Sequence, residues 1–184
     1  MCVCKSLLSA VYRVSLEKLP AFLPMTPVQD ELLAWMQEDY PQNPYFPENR
    51  KVSTIAGIQV RSKSEMLIVT LLVFFKIPFR YECEIDLGGH TFYPDFTIRH
   101  PVTGEYYYWE HCGMIDDPDY FQKFQNKMRL YVRSGILPDQ NLILTFESED
   151  HPADPNIVVD KIREFFLCDG VNDSYDLNSI TGII

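Results

Sequence analysis

An α/β fold, with a mixed central β-sheet flanked by helices, is the architecture this sequence predicts, and three observations carry it. From residue 62 onward, helical and alternating apolar patterns succeed one another in the order helix, three strands, helix, strand, helix. The run Met66 to Phe75, broken only by Thr70, is shorter than the roughly eighteen apolar residues a bilayer-spanning helix needs, so it predicts a buried helix. Asn141 to Phe146 is short and largely apolar, as suits a strand covered on both sides.

The elements follow in chain order. Residues 3–18 and 27–39 carry apolar side chains at helical spacing (Leu7, Val11, Leu16; Val28, Leu32, Leu33, Met36), with a break marked by Pro20, Pro24 and Pro27. Residues 38–50 contain Pro41, Pro44 and Pro47, which neither a helix nor a central strand tolerates, so they form a linker or wrapping loop. The division this suggests is an N-terminal helical and linker segment, 1–50, and a domain from 51 to 184.

Ser62 or Ser64 can cap the helix that runs through Met66, Leu67, Val69, Leu72 and Val73 until Pro78 stops it. Phe79 to Leu87 alternates, with Tyr81, Cys83, Ile85 and Leu87 on one side and Glu82, Glu84 and Asp86 on the other, and ends at Gly88-Gly89. Phe92 to Arg99 and Glu105 to His111 are further strands joined by a turn at His100-Pro101-Val102-Thr103-Gly104, completing a three-strand meander. Asp119 to Ser134 is helical and closes at Gly135, and Val158 to Leu167 is a last amphipathic helix.

Composition bounds the function. At 46 % hydrophobic and 14 % aromatic residues among 184, the chain has ample material for a core, which argues against disorder. No membrane span is expected. The apolar part of MCVCKSLLSAVYRVSLEK is broken by Tyr12 and Arg13, which argues against a secretory signal and for the cytoplasm. Five scattered cysteines without a C-x-x-C pair suggest reduced thiols. The net charge of −10 is the wrong sign for holding nucleic acid by phosphate neutralisation alone.

If the turn centres between Val102 and Thr103, Asp95 lies directly across from Glu110. Opposed residues on one face of an antiparallel pair have Cβ atoms ~5 Å apart, and two carboxylates so placed repel unless a cation, a proton or solvent intervenes. A hard divalent cation, Mg²⁺ or Mn²⁺, resolves that conflict with oxygen ligands, and the carbonyl of His111 could add one more. The competing reading makes both carboxylates rim groups facing water, with a bulge shifting the register. His111 itself, by alternation, points to the other face as a packed core histidine.

Tyr93-Pro94-Asp95-Phe96-Thr97-Ile98 followed by Tyr107-Tyr108-Trp109-Glu110-His111 resembles the PD…(D/E)xK signature of the PD-(D/E)XK, or restriction-endonuclease-like, nuclease superfamily. Arg61-Ser62-Lys63-Ser64-Glu65 resembles its first-motif helix. The resemblance covers about half the chain and implies metal-dependent hydrolysis of phosphodiester bonds, with DNA as the expected partner. It implies Asp95 and Glu110 as metal ligands and Glu65 as the helix acid that orients or completes the site. The superfamily's lysine is missing, since two residues after Glu110 stands Cys112.

A substitute is available on the next helix, where Tyr120, Lys123, Lys127 and Tyr131 share one face. Lys127 with Tyr131 is similar to the Gln-x-x-x-Tyr motif of exonuclease members, and Lys123 is the second choice. Arg61, Lys63, Arg129 and Tyr131 are the expected nucleic-acid contacts, and Glu82 is a weaker acidic candidate. The aromatic run Tyr106 to Trp109 alternates within a strand, so at least two of its four members should be buried. Two alternatives remain: a non-catalytic binding module on the same fold, favoured by Cys112 and the acidic charge, and a subunit of a larger nucleic-acid-processing assembly whose protein partners supply basic surface.

Overall fold

The structure is a computed structural model and describes residues 27–167. The helix expected over residues 3–18, and Cys2, Cys4 and Cys168, lie outside the described residues; Cys83 and Cys112 are free and buried. In chain order the elements are α1 (Pro27–Gln37), a 3-10 turn (Pro47–Asn49), β1 (Val52–Ser53), β2 (Gln59–Val60), α2 (Lys63–Phe74), β3 (Phe79–Tyr81), β4 (Ile85–Leu87), β5 (His90–Phe92), β6 (Phe96–Arg99), β7 (Tyr106–Cys112), α3 (Pro118–Arg133), β8 (Leu142–Phe146) and α4 (Pro155–Phe166).

The main sheet has the order β3-β6-β7-β8, with β3, β6 and β7 antiparallel and β8 parallel to β7. Parallel pairing requires a crossover, and α3 provides it. Helices α2 and α4 cover one face: Ile68, Val69 and Leu72 of α2 and Val158, Val159 and Ile162 of α4 enclose Phe96, Ile98, Trp109 and Ile143. On the opposite face Tyr131 and Met128 of α3 pack with Phe92, Leu142 and Leu144. The sequence is thus a mixed α/β protein with a mixed sheet between helices.

Two predicted strands are each broken in two. The alternation from Phe79 to Leu87 stops at Glu82, whose φ of 48° lies in the left-handed region, and resumes in β4, which among the described strands pairs only with β5. Phe92 to Arg99 is interrupted at Tyr93-Pro94-Asp95, because Pro94 has no N–H for the ladder. The inserted β4–β5 hairpin turns at Gly88 and Gly89, both at positive φ, where Asp86 Oδ1 accepts from the Gly89 amide. The hairpin β1–β2 has no counterpart in the sequence reading.

The proline-bearing segment wraps the free edge of β3. Tyr40 Oη accepts from the Tyr81 amide and Gln42 Nε2 donates to the Tyr81 carbonyl, while the Asn43 amide donates to the Glu82 carbonyl. These bonds satisfy an edge that would otherwise be open to pairing with another chain. Arg80 holds α1 in place, lying 4.4 Å over the Trp35 ring and donating through Nε to the Trp35 carbonyl. Of the aromatic run, only Trp109 is fully buried; Tyr107 and Tyr108 are half-buried and Tyr106 is exposed against Trp35, which corrects the expectation of two buried members.

His100 is structural. Its Nδ1 accepts from the amides of Val102 and Thr103, organising the β6–β7 turn, and its ring packs against Tyr107 and Phe166. Burial lowers its pKa below the usual histidine value, opposed only in part by Glu105. A base whose folded pKa is depressed binds its proton more readily in the unfolded chain, so its contribution is complete above the ordinary histidine pKa and is lost as pH falls from there through the depressed folded value. Melting curves from pH 8 to pH 5 should therefore fall more steeply for the wild type than for His100→Asn, whose Oδ1 can accept the same bonds without titrating.

Candidate functional site

The strand register brings the carboxylates together. Phe96 pairs with Trp109, and the next step outward sets Asp95 across from Glu110. On β7, Trp109 and His111 turn toward α2 and α4, which leaves Glu110 facing α3. The His111 amide donates to Asp95 Oδ2 at 2.7 Å, and the Asp95 carbonyl accepts from the Glu82 amide at 3.0 Å. The aspartate is therefore held at both its side chain and its backbone.

Helix α3 supplies the counter-charge. It starts at an Asp117 cap, whose side chain accepts from the Tyr120 amide, with Pro118 at the first position. Lys127 Nζ then sits 2.6 Å from Glu110 Oε1 and 2.8 Å from Oε2, and 3.3 Å from the Tyr93 carbonyl. One turn on, the Tyr131 hydroxyl donates to Glu110 Oε1. Tyr131 is wholly buried and its ring stacks on Phe92 at 5.0 Å. No base can reach that ring, so its expected nucleic-acid contact is replaced by a role in fixing Glu110.

The electrostatics are those of a crowded acidic site. Burial, then the charge of Glu110, raises the Asp95 pKa well above the usual carboxylate range, with Lys127 and the His111 amide opposing. Burial works to lower the Lys127 pKa, but Glu110 and Asp95 outweigh it and the net direction is upward, which keeps the ammonium charged. Cys112, two residues after Glu110, is a buried thiol, its pKa pushed up to about 12 by burial and both carboxylates. It stays protonated and supplies no cation. The Tyr120 pKa is raised by burial first, then by the charges of Cys112, Asp95 and Glu110.

Asp95 and Glu110 are the side chains here that could hold a hard divalent cation. Asp95 and Glu110 offer only oxygen, and the proton that Asp95 favours stands where a cation would otherwise balance the pair. The His111 carbonyl is available for a physical reason. Because Asp95 turns its backbone toward β3, Pro94 turns its own toward β7, opposite His111, and has no N–H to offer that carbonyl. Among the described residues no group of three or more His, Cys, Asp or Glu side chains is placed to hold a metal, so water and substrate would have to complete the shell.

Other expected residues are placed differently. Glu65 is buried and engaged, accepting from the Arg61 amide at 2.8 Å and the Tyr81 hydroxyl at 2.7 Å, while its own amide donates to the Ser62 cap. It influences Asp95 through its charge but does not complete a three-carboxylate set. Arg61 is not free for phosphate: Nε donates to Glu82 at 2.6 Å, and Nη1 and Nη2 donate to the carbonyls of Phe46 and Tyr45. That pair also occupies Glu82. Lys63, Lys123 and Arg129 are exposed, so Lys127 alone among the expected basic residues meets the carboxylates.

His111 faces away from the site, its Nδ1 3.0 Å from Thr145 Oγ1 and its Nε2 3.4 Å from Glu147 Oε1 without a hydrogen bond. Glu147 accepts from Ser64 at 2.6 Å; burial would raise its pKa, but this bond and His111 together hold it below the usual range. The His111 amide and the Tyr93 carbonyl, both part of the site, were invisible to side-chain reasoning. The interrupted strand at Pro94 was the signal that could have found them. Comparison with protein-family models, with curated proteins and with solved structures finds no match.

Proposed function

We propose that this chain is a divalent-metal-dependent nuclease with a restriction-endonuclease-like core, acting on phosphodiester bonds of DNA with Mg²⁺ or Mn²⁺. The observation that carries the reading is the meeting of Asp95, Glu110 and Lys127 on one face of the sheet, with the lysine delivered from α3. When bound, the cation would polarise the scissile phosphate and make a neighbouring water more acidic.

The protein's own groups have separable tasks. Asp95 and Glu110 would hold the cation, and the His111 carbonyl could add a ligand. Tyr131 and Lys127 fix the Glu110 carboxylate, and the His111 amide fixes that of Asp95, so little reorganisation accompanies the reaction. Lys127 places a permanent positive charge where the attacked phosphate gains negative charge, the task for which Cys112 has no chemistry. No helix among the described residues is long and apolar enough to cross a membrane.

The net charge of −10 favours a second reading, a binding module or subunit whose partner provides basic surface. Incubation with plasmid and single-stranded DNA, with and without Mn²⁺, separates the two. The nuclease reading expects cleavage that requires the metal, and the module reading expects none under any condition.

A further inference from the structure

A groove of about 360 Å³ opens beside Lys127, lined by Asn43, Thr91, Phe92, Tyr93, Asn126 and Leu130. Its described lining contains one cation, Lys127, which is paired with Glu110, and no carboxylate, although the Tyr93 hydroxyl donates to Glu84 at 2.6 Å. The side chains of Thr91 and Asn126 make no hydrogen bond to another described residue, so a hydroxyl and an amide face the groove with their donors and acceptors free. Tyr93 and Phe92 contribute aromatic rings to the lining. The volume is at the small end of ligand sites, which run from about 300 to 1,000 Å³. A double helix does not fit such a space, whereas one unpaired nucleotide does.

The rim carries a second feature. Tyr45 and Phe46 are 64 % and 66 % exposed, and Tyr45 meets the Tyr93 ring edge-on at 6.3 Å. Phe46 has a φ of 50°, a conformation that side-chain-bearing residues rarely adopt. The chain is held there by Arg61, whose guanidinium bonds both carbonyls and is itself anchored on Glu82. An ion pair anchored on the buried Glu82 carboxylate, with Arg61 itself part-exposed, thus presents two aromatic rings to solvent next to a groove with free polar groups. Exposed rings beside a cation are the surface on which successive unpaired bases stack.

We infer that this groove seats one nucleotide of single-stranded DNA, with the neighbouring base on Tyr45, and thereby leads the strand to Lys127 and the carboxylate pair. The choice of ligand class rests on the nuclease reading. Asn126 and Thr91 offer hydrogen bonds to the base or sugar, and the adjoining phosphate falls at Lys127.

The test reads binding apart from cleavage. In EDTA at low salt, the anisotropy of a short labelled oligothymidylate should show tighter binding than that of a blunt duplex. Asn126→Trp, which fills the groove from an exposed helical position, and Tyr45→Ser should each weaken oligothymidylate binding at least about 5-fold, with unchanged melting temperature. Equal affinity for duplex and single strand, or unchanged affinity in both variants, overturns the inference. If the wild type cleaves DNA but both variants bind and cleave as it does, the groove assignment is wrong while the nuclease reading stands. If the groove binds single strands as described and nothing is ever cleaved, the groove stands and the nuclease reading falls.

Discussion

On the proposed nuclease function, replacing Lys127 with Met is expected to lower metal-dependent cleavage by at least about 10²-fold, the scale on which removal of a preorganised charge from a reacting centre acts. The ammonium is the cation 2.6 Å from Glu110, and methionine keeps the bulk while removing the charge. The fold should survive, because the lysine side chain is 35 % exposed and water can take over part of its role toward Glu110. Lys123→Met is the matched control on the same helix: that residue is exposed, and its loss should leave turnover unchanged. Cys112→Lys in the Lys127→Met background should restore part of the activity, since the Cys112 side chain lies among the same carboxylates. Single-turnover cleavage rates at saturating Mn²⁺ check all three.

Asp95→Asn should do two opposite things to stability. In metal-free protein at neutral pH it should raise the melting temperature. The sign follows from the raised Asp95 pKa, caused by burial and by Glu110: the folded state prefers the protonated acid, so this group's contribution is full below the ordinary carboxylate pKa and is lost as pH rises from there through the raised folded value. Asparagine avoids that loss, and its side-chain oxygen can still accept from the His111 amide. With Mn²⁺ present the order should reverse, because only the wild type gains the stabilisation that a ligand binding the folded state confers. Thermal melts of both proteins with and without Mn²⁺ read the effect.

The site was legible where local rules combine. A turn at His100 to Gly104 between two strands fixes which residues oppose each other, and that placed Asp95 against Glu110; helical spacing alone placed Lys127 and Tyr131 on one face. What periodicity does not encode is which polar group finds which partner. Arg61 is an unbound cation in the sequence and a clamp on the Tyr45 and Phe46 carbonyls in the fold, because Glu82, whose left-handed backbone breaks the strand, turns to meet it. Glu65 likewise satisfies Tyr81, sixteen residues away, rather than completing a metal shell. The groove is assembled from Asn43, Thr91 to Tyr93, and Asn126, Lys127 and Leu130, segments with no shared pattern, and only packing joins them.

The central claim is that Asp95 and Glu110 hold a catalytic divalent cation. Its most direct test is cleavage of a labelled DNA oligonucleotide, single-stranded and duplex, by wild type and Asp95→Asn purified side by side, in Mn²⁺ and in EDTA. The account predicts products only from the wild type and only with metal. Equal product from Asp95→Asn, or product that persists in EDTA, would contradict it.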